Sequence, residues 1–316
     1  MTEGKEDAMG NTPDRRRREQ VLHALVPAFA FTLLFEILGT LFSVLLGFLS
    51  GSQNTNLFVF ATRHAQSLQA VGGAVSCAVS CAVFLPAARR EIRDFAASRR
   101  TPKMEGAWET AVHHVPGGAQ GALLFLLASA LFLSAGINIL LSLTGVTALA
   151  GAASDMTQNT LSDPTYPVLA VLLYGLLTPA AEELIFRGLA FLRLRAAFAR
   201  KEEPRRTLFA SLLRAFGTVP AALFSAALFA LYHGNLPQGI YAFVLGTLFA
   251  LSVEITGRFS TAVFLHSASN LLILLFSLTG LYNDLVTPIW CACFLLPGLL
   301  FFALLVFFLQ GGVRSR

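Results

Sequence analysis

The chain has 316 residues, 55% of them apolar and only 13% charged, with a formal net charge of +5. That balance excludes a soluble domain built around one core and points to a membrane protein. The basic residues come in runs without interleaved aromatics or a nucleic-acid-binding motif. Their surplus therefore reads as membrane topology and contact with anionic lipid headgroups, not as a nucleic-acid surface.

Residues 1–20 are polar, carry Gly10 and Pro13 and lack an apolar period, which predicts a mobile cytoplasmic tail ahead of one integral membrane domain over 21–316. Windows of about 20 apolar residues mark spans near 24–49, 68–88, 119–143, 166–192, 219–233, 238–256, 259–279 and 286–309. The expected fold class is all-α: a polytopic transmembrane bundle of about eight helices. Lys and Arg gather before the first span (Arg15 to Arg18), after the second (Arg89, Arg90, Arg93, Arg99) and after the fourth (Arg193, Arg195, Arg200, Lys201), while the alternate segments hold only Arg63. With an even number of spans, the positive-inside rule predicts cytoplasmic termini.

Several features read as scaffold. Glu36 in the first span is a carboxylate expected to be buried and to want a partner the sequence does not name. Cys77, Cys81, Cys291 and Cys293 have neither CxxC spacing nor a nearby His and read as packing residues. The linker 89–118 is charged and turn-rich, with Trp108 at the interface and His113 and His114 solvated. Glu254 and Arg258, spaced i, i+4 near a helix end, read as a surface pair. No internal repeat of the transporter type is visible, which weighs against a transporter with a midplane ion site.

The informative residues begin in the fourth span, where Glu182-Glu183-Leu184-Ile185-Phe186-Arg187 interrupts an apolar run. An ionisable side chain at the bilayer centre costs about 2.5–3.5 kcal/mol, so three on one helix have to be paired, hydrated or used. Glu183 and Arg187 are spaced i, i+4 and predict an internal ion pair that fixes helix packing; Glu182 then points elsewhere. The fifth span ends in Phe229-Ala-Leu-Tyr232-His233, and the seventh contains His266-Ser-Ala-Ser-Asn270, each pair again on one helical face.

Counting about 1.5 Å per residue from the cytoplasmic boundaries puts Glu182 about 16 Å deep, His233 about 20 Å and His266 about 12 Å in a core about 30 Å thick. The count for His233 assumes a helix that starts at Pro220, with 207–218 a separate surface helix. A start at Leu208 would carry His233 toward the outer face and weaken the convergence. Residues 234–239 must then turn within or near the membrane, which requires protein or a water-filled cavity around the backbone.

One carboxylate, two imidazoles and an amide at one depth can activate water. Glu182 suits a general base, His233 a water or metal ligand, and His266 with Asn270 a metal ligand or a donor to an oxyanion. Glu182, His233 and His266 would suit a catalytic Zn2+, and the same residues can hold a metal-free water; the His-Glu-x-x-His helix of zincins is absent. Each residue also has a packing reading: an interfacial His for His233, an interhelical hydrogen bond for Asn270.

Glu182-Glu183-x-x-x-Arg187, Phe229-x-x-x-His233 and His266-x-x-x-Asn270, in this order, resemble the three signatures of the CAAX-prenyl-protease-like intramembrane proteases, the CPBP or Abi family. Pro179, Gly188, Gly246 and Thr256-Gly257 fit the flanks. The resemblance covers about residues 166–275, the expected catalytic core. It implies that Glu182 activates the water, His233 binds that water or a metal, His266 and Asn270 complete the site, and Glu183 with Arg187 supports it. The implied substrate is a hydrophobic or lipidated peptide or protein, such as a prenylated CAAX protein. A non-catalytic scaffold, a bacteriocin-immunity protein or a regulator of secretion with the same fold is the alternative.

Overall fold

The computed structural model describes residues 13–51, 53–99, 112–150, 163, 165–198 and 208–314. Residues 1–12 of the expected tail and Trp108 in the linker lie outside these, whereas 13–20 are helical and belong to the first helix. The helices are α1 (Pro13–Ser50), α2 (Thr55–Arg63), α3 (Ala65–Arg99), α4 (Gly118–Leu143), α5 (Tyr166–Phe198), α6 (Leu208–Tyr232), α7 (Leu236–Thr256), α8 (Phe259–Leu278), α9 (Leu281–Leu285) and α10 (Pro288–Arg314). A 3-10 turn, Val146–Ala150, follows α4.

Among the described residues there is no strand, and seven helices are long and apolar enough to cross a membrane, with Thr218–Tyr232 of α6 a shorter apolar stretch. The chain is a multi-pass integral membrane protein with an all-α fold. The segment between the first two expected spans is helical over Thr55–Arg63. Asn54 starts α2 by accepting from the amides of Asn56 at 3.0 Å and Leu57 at 3.3 Å, and the helix exposes Leu57, Phe58, Val59 and Phe60.

α5 is the central helix, packed by α1, α3, α6 and α8, with every residue from Ala181 to Leu192 buried. A helix apolar on all sides takes that place, and the few charges on it must find partners inside. It is not a uniform α-helix: Leu173–Leu177 and Phe186–Phe191 are π segments on either side of the α-helical Thr178–Ile185. Pro179 accounts for the first. It lacks an N–H and its ring collides with the carbonyl one turn back, and a widened turn accommodates both.

At its N-terminal end α5 is tied to α3 by Asp163. This carboxylate accepts from the Ser67 amide at 3.3 Å and from the Thr165 amide at 3.2 Å and hydroxyl at 2.8 Å, with His64 Nδ1 at 3.3 Å. Burial alone would raise the carboxyl, but these hydrogen bonds outweigh it and hold Asp163 at about 2, below its ordinary 3.8. At the other end, Arg193 pairs with Glu91 at 2.8 Å and donates to the carbonyl of His23 at 2.9 Å.

The Arg193–His23 bond sets the register of α5 against α1. From it, Glu182 lies about 17 Å along α5 and Glu36 about 20 Å along α1. Glu36 is thus level with Glu182, but it is exposed on α1 and not buried as its place in an apolar span suggests. The expected pair of Glu254 and Arg258 does not form. Glu254 faces inward, buried, and is held by Arg195 (Nη2 at 3.0 Å, with Nε also bonded) and by Arg99 at 3.2 Å, which joins α7 to α5 and α3. Arg258 is exposed at the start of α8.

The break expected at Pro220 is absent, since Leu208–Tyr232 is one helix with Pro220 inside it. The turn after it forms as the composition predicts. Gly234 adopts φ +67°, and Asn235 caps α7 by accepting from the Gln238 amide at 3.0 Å while donating to the carbonyl of His233 at 3.0 Å.

Candidate active site

The α-helical turn between the two π segments carries both carboxylates. Glu183 points into α7 and α8, where its Oε1 accepts from Arg187 Nη1 at 2.8 Å and from His266 Nδ1 at 2.8 Å. All three side chains are buried, Glu183 and Arg187 completely. The expected ion pair is present and has a third member that no local spacing reports, because His266 belongs to another helix.

The Arg187 guanidinium lies over the rings of Phe229 at 4.5 Å and Phe249 at 5.6 Å, so aromatic faces supplement its single carboxylate. Gly246 makes room for it. A Cβ there would meet Arg187 Nη2 at 2.6 Å, which explains why the residue facing the guanidinium from α7 has no side chain.

The hydrogen bonds fix the tautomers of both histidines. The carboxylate oxygen of Glu183 accepts, so Nδ1 of His266 carries a proton, and in the neutral ring Nε2 is an acceptor. That Nε2 faces Glu182 Oε2 at 3.7 Å, beyond a direct hydrogen bond and within the span of one shared water. His266 is further held by stacking on Phe249, centroids 5.0 Å apart. His233 Nδ1 is 2.9 Å from the carbonyl of Phe229, its own helix, and must donate to it, which again leaves Nε2 as an acceptor.

Continuation of α6 through Pro220 does not separate the rings. Phe229 touches His233 at 4.7 Å, His266 at 5.7 Å and Phe186 at 4.9 Å, and so links α5, α6 and α8 at one level. His233 and His266 therefore flank one aromatic ring, and Glu182 is joined to this cluster through His266.

Asn270 lies one turn beyond His266, and its amide donates to the carbonyl of Tyr174 at 3.0 Å. That carbonyl belongs to the first π segment. The Thr178 amide bonds to Leu173, and the next residue, Pro179, has no N–H to offer, so Asn270 supplies the donor that proline lacks. The second π segment is treated in the same way: Ser225 on α6 donates to the carbonyl of Phe186 at 2.7 Å. Both irregular turns that flank Glu182 and Glu183 are thus braced by neighbouring helices.

Two neutral imidazoles and a carboxylate are chemically suited to Zn2+, but among the described residues no three His, Cys, Asp or Glu side chains are gathered in an arrangement that could hold a metal ion. Glu182, His233 and His266 as they stand do not fit one. His113 and His114, expected to be solvated, are exposed.

Residues 164–272 match the family model described as type II CAAX prenyl endopeptidase Rce1-like, a segment that contains all three motifs. No curated protein and no solved structure matches the chain. Over residues 164–272, about a third of its length, the chain is similar to the type II CAAX prenyl endopeptidases of the Rce1-like family.

Proposed function

We propose that the chain is an intramembrane endopeptidase in which Glu182 activates water against a peptide bond of a membrane-associated or lipidated substrate. The observation that carries this is the order Glu183–His266–Glu182: one carboxylate orients the imidazole through Nδ1, and Nε2 then faces a second carboxylate across 3.7 Å. A water between them would give a proton to Glu182 and be held by Nε2. The resulting hydroxide adds to the peptide carbonyl carbon, and the carbonyl electron pair moves onto oxygen. When the C–N bond breaks, its electron pair goes to nitrogen, which takes the proton from Glu182. The sum is peptide plus water giving acid plus amine.

The residues used here belong to the chain itself, and no step passes through a metal. Buried polar groups at one level of a membrane protein also give the reaction a place from which bulk water is excluded. Prenylated CAAX-type peptides are the proposed substrate class, because the matched family is described as acting on them. Both termini are proposed to be cytoplasmic, on the distribution of Lys and Arg.

The test uses the full-length protein in phosphatidylcholine vesicles with a quenched-fluorescence peptide ending in a prenylated Cys and three further residues. Wild type is expected to cleave it, and Glu182→Gln to lose at least about a thousandfold in kcat/KM with unchanged helix content. Cleavage should survive dialysis against a metal chelator. Equal rates for wild type and Glu182→Gln would leave the scaffold reading in its place.

A further inference from the structure

Hydrolysis at Glu182 needs a donor for the carbonyl oxygen that becomes negative, and the N–H groups of the motif residues are largely committed. The His266 Nδ1 proton goes to Glu183, the His233 Nδ1 proton to Phe229, and one of the two Asn270 amide protons to Tyr174. Arg187 has N–H groups without an acceptor, but its side chain is fully buried between Phe229 and Phe249, closed to any substrate.

Tyr232 is placed differently. It precedes His233, is half-buried, and its ring is held by Phe31 at 5.3 Å, Phe186 at 5.5 Å and His233 at 5.3 Å. Phe186 follows Glu182 by four residues, so the ring on which Tyr232 rests lies one turn from that carboxylate on the same face of α5. Among the described residues nothing accepts from the Tyr232 hydroxyl, and Glu182 and Cys77 are within its electrostatic reach. A phenol clamped by neighbouring rings, with an O–H that no protein group occupies, is preorganised to meet a developing charge.

We propose that the Tyr232 hydroxyl donates the hydrogen bond that stabilises the oxyanion of the tetrahedral intermediate, which makes it a catalytic residue of this site. The assignment rests on the hydrolytic reading above. Tyr232 transfers no proton. Its bond strengthens as the carbonyl electron pair moves onto oxygen and relaxes when the C–N bond breaks and nitrogen takes its proton from Glu182.

Tyr232→Phe removes only the hydroxyl. Since no protein acceptor is lost, the thermal midpoint should match wild type, whereas kcat on the prenylated peptide should fall by about a hundredfold with KM within about twofold. A phosphonate analogue of the same peptide, which mimics the tetrahedral intermediate, should lose about the same factor in affinity while the uncleaved peptide bound to Glu182→Gln protein does not. A kcat within about threefold of wild type, or unchanged phosphonate affinity, overturns the assignment. Glu182→Gln, assayed beside it, separates the two failures. An inactive Glu182→Gln with an active Tyr232→Phe sinks only the role of Tyr232, whereas a wild type that does not cleave, or a Glu182→Gln that cleaves normally, sinks the hydrolytic reading and this proposal with it.

Discussion

Glu183 and His266 are joined by a 2.8 Å hydrogen bond between α5 and α8, and the same carboxylate oxygen accepts from Arg187 at 2.8 Å. One buried residue thus does two separable things: it neutralises a guanidinium and it sets which nitrogen of His266 faces Glu182.

These two duties can be told apart. Glu183→Ala leaves Arg187 buried without its counter-charge and should destabilise the protein by about 3–5 kcal/mol. In the double variant Glu183→Met with Arg187→Met, both charges are gone and apolar side chains of similar length replace them, so most of that stability should return. Cleavage should not return, because His266 has lost the acceptor that orients it. Unfolding midpoints and kcat/KM measured on wild type and the two variants decide the matter. A double variant as active as wild type would show that Glu183 acts only as a counter-ion.

Asn270 gives a second separable case. Asn270→Leu strands the Tyr174 carbonyl in a π segment whose next donor position is Pro179. The expected loss is about 0.5–1.5 kcal/mol, the net worth of one hydrogen bond that is not fully buried. In a Pro179→Ala background the backbone regains an N–H, and Asn270→Leu should cost distinctly less, a coupling that a double-mutant cycle reads directly. Equal costs in both backgrounds would mean that the amide does not serve that carbonyl.

What the sequence made legible, and what it did not, divides along the range of the interaction. Seven of the apolar spans, the Glu183–Arg187 pair and the turn at Gly234-Asn235 are local patterns, and each forms where periodicity, i, i+4 spacing or turn chemistry puts it. The partners of Glu254 were misread, because spacing pointed to Arg258 while the side chain turns inward to Arg99 and Arg195 from other helices. Proline's local preference puts a helix start at Pro220, but it is accommodated inside α6, where packing overrides that preference. The contact of Glu183 with His266 is 83 residues long in sequence, and no pattern of one helix announces it. A hint for the first π segment was available in Pro179, since a proline inside a buried helix obliges the preceding turn to change.

The clamp at Asp163 has a pH signature with a definite sign. Its folded-state value of about 2 lies below the ordinary 3.8, so the unfolded chain binds the proton more readily. The clamp therefore contributes its stability fully above pH 3.8 and loses it as pH falls from there through about 2. Asp163→Asn retains an acceptor but no charge for Ser67, Thr165 and His64, and should unfold more easily than wild type at neutral pH by about 1–3 kcal/mol. The difference between the two proteins should shrink over that acidic window and vanish below it. Unfolding of detergent-solubilised protein, followed by circular dichroism across the window, measures it. A gap that stays constant down to pH 2 would mean that the charge on Asp163 does not hold α3 to α5, and that the carboxamide's geometry alone sets the difference.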